Sequence, residues 1–303
     1  MACTLLLSSH NTIKPMDSHL YHQLKNGVII VSAAVCLSYG AFKTVNYLFY
    51  PKSTGGNDKS TETPISSHPE VIAETKTIKL DLSTQQINDI YARGEGHIIF
   101  SQIDDDRKES ISATGLKTVI DNLEMSVDEK GSLRIGPKEN YVIANDDRPT
   151  YCLNLKKIKN MYLYDMIKAT LTTKITAQSL ILNLANQATI TTYGGSINVD
   201  SLVATGSGRT LFVLEGRASK QGIYLSDYAS YNATDARSHY AHIEATGTSK
   251  IRINIEDQDK IPGDIRGFIA GASELAYKGK PDISFLQRKD DATIMQMTQI
   301  TIY

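Results

Sequence analysis

The residues that could do chemistry in this chain are few and scattered. Gly194-Gly195 and Gly206-Ser207-Gly208 have the types of a phosphate cradle. Neither leads into a helical pattern or a Lys-Ser/Thr pair, so neither reads as a nucleotide loop. Asp104-Asp105-Asp106 and Asp146-Asp147 are acidic runs of the kind that can supply calcium with its 6–8 oxygen ligands. Both fall in loop-like sequence and read as solvated charge. His239 and His242 stand three apart in "HYAH". In a strand, residues i and i+3 point to opposite faces, so this spacing does not make a metal pair. His97 has no evident partner, and Cys152, before "LNL", reads as a small apolar core residue. No Ser-His-Asp or Cys-His set stands out, and no catalytic residue, cofactor site or metal site is assigned. Tyr162, Tyr164, Tyr193, Tyr224, Tyr228, Tyr231 and Tyr240 could form an aromatic face for protein or glycan contact.

Composition narrows the classes. Of 303 residues, 41% are apolar, enough for a substantial core. Lys plus Arg number 32 against 33 Asp plus Glu, so the basic excess of a nucleic-acid binder is absent. The 16 Tyr, with no Trp and many Thr, Ile and Val, favour strands. The Cys residues are Cys3, Cys36 and Cys152, with no CxxC pair. Only Cys152 lies in the folded body.

The chain divides into four parts. Residues 1–26 form a short polar segment. Residues 27–50 carry an uncharged run, Gly27 to Phe42, interrupted by Lys43 and continued to Tyr50. A spanning helix needs about 20 residues, reached if Lys43 snorkels. This segment is expected to be a transmembrane anchor; the alternative is a signal sequence cleaved near Ser38-Tyr39-Gly40. Lys14 and Lys25 precede it, and Lys43, Lys52 and Lys59 follow its uncharged run, so charge does not orient it. Residues 51–70, rich in Ser, Thr, Gly and Pro, form a linker. Residues 71–303 form the body, with clear repeats over 161–283.

Strands are expected at Lys76 to Leu82 and Gly96 to Ile103, and a strand pair about Glu129-Lys130-Gly131. A short helix is tolerated at Ser83 to Ile90. The body then repeats. Turn markers fall at Asp165, Asn186, Gly206, Asp227, Gly247 and Gly271, spaced 21, 20, 21, 20 and 24 residues. Two before the marker stand Leu163, Leu184, Ala204, Leu225, Ala245 and Ile269. Four after stand Ala169, Ile190, Thr210, Tyr231, Ile251 and Leu275. Gly, Asn and Asp tolerate positive φ at a corner. Such strand pairs bury their apolar faces only by stacking, so the expected fold is an all-β parallel β-helix or β-solenoid of about 20-residue coils. A β-sandwich is the competing architecture. Gly206, Gly208, Gly247, Gly271, Gly279 and Pro281 are expected to shape turns and the cap, with the regular phase ending at Pro281. The strands before Asn140 are expected to cap one end and Phe285 to Tyr303 the other.

"EKGSLRI" (Glu129 to Ile135), the repeated small-residue turns and "GASELAYKGKPDI" (Gly271 to Ile283) resemble the auto-transporter adhesin, head GIN domain family of bacteria. The resemblance covers Thr75 to Ser284. It implies a right-handed β-helix behind an N-terminal signal or anchor. It also implies a non-enzymatic adhesion, binding or assembly role. The location implied is the inner membrane with a periplasmic domain, or the periplasm or exterior after cleavage. The partners implied are the membrane, through residues 27–50, and a protein or surface polymer on the β-helix face. A β-helical enzyme acting on polysaccharide, or a subunit of an envelope complex, is the alternative. The family's Gly-Ser/Ala-Gly turn is intact only at Gly206-Ser207-Gly208, and a charged segment follows Phe285.

Overall fold

The computed structural model describes residues 74–82, 86–144, 146–257 and 261–297. The expected anchor at 27–50 and linker at 51–70 lie outside them. Among the described residues, no helix is long and apolar enough to cross a membrane. The body is an all-β solenoid of about six turns.

Its coil begins with β2 (Asp89–Ala92) and β3 (Glu95–Gln102), joined at a corner. The chain then passes through β4 (Ser110–Leu116), α1 (Lys117–Asp121), β5 (Leu123–Val127), β6 (Ser132–Pro137) and β7 (Thr150–Leu155), of which β6 stacks on β2 and β7 on β3. It returns as β8 (Asn160–Leu163) and β9 (Met166–Leu171). The regular coils follow: β10 (Lys174–Asn186), β11 (Thr189–Thr192), β12 (Ser196–Gly208), β13 (Leu211–Leu225), β14 (Ser230–Ser238), β15 (Tyr240–Ala245) and β16 (Lys250–Ile255). The last strands are β17 (Asp264–Ile269), β18 (Glu274–Lys278), β19 (Leu286–Arg288) and β20 (Thr293–Gln296).

Two long parallel ladders run along the described residues, and a third, shorter one stacks Lys174–Ala177, Ser196–Val199, Glu215–Ala218 and Asp235–Ser238. One long ladder stacks β6, β2, β8, β10, β12, β13, β15, β17 and β19. The other stacks β7, β3, β9, β11, β13, β14, β16, β18 and β20. Like residues face inward at the same height. Ile98, Ala169, Ile190, Phe212, Tyr231, Ile251 and Leu275 form one buried file in register. Each large apolar side chain buried this way contributes roughly 1.5–3 kcal/mol.

Four expectations need correction. The third corner is Gly208, not Gly206. Asn186 pairs with Gly208, and the Gly208 N–H donates to Asp227 at 3.1 Å. Gly206 instead lies inside β12 and faces the core, where a Cβ would meet the Thr210 hydroxyl at 2.7 Å and the Phe212 ring at 2.9 Å. The file therefore contains Phe212, not Thr210. A slip of two residues keeps a side chain on the same face, so the inward parity survived it.

The ladder also runs further at both ends. Gly94 (φ 86), aligned with Asp165, is the corner of an earlier coil. Asp290 (φ 55) is the corner of a later one, and its carboxylate accepts the Gly271 N–H at 3.1 Å. The corners from Asp165 to Asp290 are thus 21, 22, 19, 20, 24 and 19 residues apart. Phase does not end at Pro281, because β19 and β20 pair with β17 and β18.

The N-terminal cap is not simply the strands before Asn140. The β2–β3 coil is interior, covered by β6 and by β7, which lies after Asn140. The antiparallel strands β4 on β7, β1 (Thr75–Leu80) on β4, and β5 on β6 close that end. Turning antiparallel ends the parallel stack and removes an open edge. Finally, the short helix expected at Ser83 to Ile90 does not form among the described residues, where Asp89 and Ile90 open β2.

Candidate binding face

The outer side of the β6–β19 ladder collects aromatic and cationic residues. One outward file reads Arg134, Tyr91, Tyr162, Asn183, Thr205, Tyr224, Glu244, Phe268 and Gln287. In-register strands hold these side chains one above another at a spacing of roughly 4.8 Å. Rings at neighbouring heights therefore meet face to face. Tyr91 and Tyr162 stack with centroids 4.4 Å apart and planes 2° from parallel. The Arg134 guanidinium lies over the far side of Tyr91 at 5.7 Å.

Farther along, Tyr224 packs on His242 at 5.9 Å. Arg266 lies 4.8 Å from the Phe285 ring and 6.0 Å from Tyr240, and Lys289 lies 5.5 Å from Phe268. Cations over ring faces gain about 0.5–1 kcal/mol at exposed sites. Burial in the stack, with Tyr162 and Asp89 nearby, pushes the Tyr91 phenol up to about 12. Burial also raises Tyr162, Tyr164, Tyr224 and Tyr240. All stay neutral phenols that can donate and accept hydrogen bonds.

At the capped end the face deepens into a cleft of about 300 Å³ between β2, β5 and β6. Tyr91, Tyr164, Arg93, Arg134 and Glu124 line it, over a floor that includes Ala92 and Ile135.

The tyrosines singled out in the sequence separate into three groups. Tyr162, Tyr164, Tyr224 and Tyr240 belong to this face. Tyr193 and Tyr228 are 80% and 65% exposed, away from its stacks. Tyr231 is 1% exposed and belongs to the core, where its hydroxyl donates to Gln221 Oε1 at 2.8 Å. Spacing missed Tyr91, Arg134 and Arg93, because the chain stacks β6, β2 and β8 out of sequence order. The signal available was the strand pair at Glu129-Lys130-Gly131, which carries Arg134.

The other candidates do not converge. His239 Nδ1 lies 3.2 Å from the Glu256 carbonyl, while His242 Nε2 contacts Glu244 Oε1 at 3.0 Å. His97 does have a partner, the Thr170 hydroxyl at 2.8 Å. Cys152 is not core: Tyr151 and Leu153 point inward, leaving Cys152 on the outer side between Ile99 and Ser112. Asp104, Asp105 and Asp106 lie exposed in a turn. Among the described residues, no three of His, Cys, Asp and Glu come together as a metal site would require. Gly194 (φ 73) is a bend between β11 and β12. Gly247 (φ 74), Gly271 (φ 69) and Gly279 (φ 92) have positive φ, and Pro281 follows the last of them.

The fold and this face define a parallel β-solenoid with an antiparallel cap and one side that carries aromatic and cationic clusters at its two ends. Residues 101–281 match the family described as "Putative auto-transporter adhesin, head GIN domain", and the chain belongs to that family. Comparison with curated proteins gives no match. Among solved structures, a protein described as a putative adhesin from Bacteroides fragilis aligns with a TM-score of 0.63 at 18% identity, covering 73% of this chain and 97% of its own. One described as a putative lipid binding protein from Parabacteroides distasonis aligns at 0.56 and 17%, covering 74% and 97%. A putative adhesin from Parabacteroides merdae aligns at 0.53 and 16%, covering 74% and 96%. At these identities the likeness concerns the fold alone.

Proposed function

We propose that this chain is a non-catalytic binding module of the bacterial envelope. It contacts a surface polymer or protein through the outer side of the β6–β19 ladder. The observation that carries the reading is the outward file from Arg134 to Phe268, where four rings stand among polar groups on a rigid stack, with Arg134, Arg266 and Lys289 over ring faces at its two ends. Parallel pairing fixes these groups before any ligand arrives, so little ordering entropy opposes binding. Aromatic rings of this kind supply contact area at low rotamer cost. Residues 27–50 would tether the module to the membrane, and 51–70 would give it reach. The family's description as an adhesin domain fits this reading.

The test is retention of the full chain on a glycan array and on isolated bacterial envelopes. Wild type is expected to be retained, and Tyr162→Ser/Tyr224→Ser to lose about tenfold, from two ring contacts of roughly 0.5–1.5 kcal/mol each. Equal retention of the variant, or no retention of wild type on either surface, would overturn the reading.

A further inference from the structure

We propose that the cleft between β2, β5 and β6 holds a carboxylated sugar residue of an acidic polysaccharide. The proposal rests on the binding reading above and names the ligand class at one end of that face.

The size, walls and charge of the cleft point there. The cleft, at about 300 Å³, lies at the small end of ligand pockets, sized for one ring rather than a long chain. Its walls bring Tyr91 and Tyr164 beside two guanidinium groups, Arg93 and Arg134. Tyrosine rings accept the C–H face of a pyranose, and guanidinium forks match a carboxylate bidentately.

Both arginines are weakly engaged. Arg134 is 61% exposed and reaches Asp128 only at 3.6 Å, while Arg93 Nη2 donates to the Pro137 carbonyl at 3.5 Å. An incoming carboxylate displaces little. Glu124, also in the wall, can accept sugar hydroxyls and sets a like charge against a doubly charged phosphate. The apolar floor residues, Ala92 and Ile135, are covered, so no trough is open to an acyl chain. A phosphodiester headgroup carries the same single charge as a carboxylate, so it is the hydroxyl acceptor Glu124 and the covered floor that favour a hydroxyl-rich ring over a lipid.

The rung spacing adds direction. Tyr162 stands one rung from Tyr91 and Tyr224 three rungs beyond it, with Asn183 and Thr205 between, so a polymer seated in the cleft can run along the solenoid axis over both rings and polar groups.

The experiment is calorimetric titration of the full chain in detergent. The probes are oligogalacturonate, hyaluronan fragments and a sialylated oligosaccharide, against neutral galacto-oligosaccharide of matched length. Vesicles containing phosphatidylglycerol form a separate arm. At least one acidic glycan is expected to bind at least tenfold tighter than the neutral one, more weakly at high salt. Arg93→Gln/Arg134→Gln should remove that advantage. Its unfolding midpoint should fall only slightly, because exposed Arg134 gives up one cation–ring contact with Tyr91 and a long ion pair with Asp128, and its circular dichroism should match wild type. Binding of no acidic probe, equal binding by the arginine variant, or arginine-dependent binding only to the vesicles would overturn the proposal. If the arginine variant still binds envelopes as wild type does while Tyr162→Ser/Tyr224→Ser does not, the acidic-sugar assignment fails and the binding face stands. If neither surface nor any glycan is bound, both fail.

Discussion

Single residues carry the corners, the core and the stack in different ways. At the corners, Gly271 sits at φ 69, and a Cβ there would come within 2.6 Å of the Gly247 carbonyl oxygen. Gly271→Val should therefore lower stability by about 1–3 kcal/mol, read from the urea midpoint. In the core, the buried Tyr231 hydroxyl donates to Oε1 of the buried Gln221. Tyr231→Phe should cost about 1–3 kcal/mol by orphaning that oxygen. Adding Gln221→Leu should recover part of the loss, so the double variant would be more stable than the sum of the singles. In the stack, Tyr91 titrates at about 12 against an ordinary 10.0. The fold favours its neutral form. That contribution is fully present below pH 10 and is lost as pH rises from 10 to about 12. Phenolate absorbance should show a group of late tyrosines, smaller by one in Tyr91→Phe.

At the scale of elements, the two ends of the solenoid are built differently. The N-terminal end turns antiparallel and is pinned by Lys76 and Lys117 on Asp121, whose carboxyl is held down to about 2 by those two ammonium groups. The C-terminal end stays parallel, and among the described residues β19 and β20 are the last rungs. Removing Leu286–Tyr303 would bare the edges of β17 and β18, over the buried side chains Ile265, Ile269 and Leu275. That truncation should elute as oligomers or aggregate on size exclusion; an unchanged soluble monomer would contradict it.

For the whole molecule, a one-dimensional stack makes stability a sum of coils and couples each to its neighbours. The same geometry repeats side chains along an axis, which suits an extended ligand. If residues 27–50 anchor the module, the native chain should pellet with membranes and a chain lacking them should not. Release of the native chain into the soluble fraction would indicate cleavage instead.

The sequence by itself determined the period, the parity of inward and outward positions, and the corner chemistry. These are local. Asp165, Asn186, Asp227 and Gly247 announce positive φ, and alternation marks the buried side whatever the neighbour. Parity even survived the slip at Gly206 and Gly208, because strand side chains repeat every two residues. The binding face was half legible. Tyr162 and Tyr224 stand in the repeat, but nothing local places Tyr91 between Arg134 and Tyr162. Only the tertiary structure decided that, because residues 103–159 fold back over the first coil and insert β2 between β6 and β8. It also put Tyr231 inside and Cys152 outside. Which strand lies beside which is set by how the whole chain buries its apolar files and closes its open edge, and no stretch of sequence carries that alone.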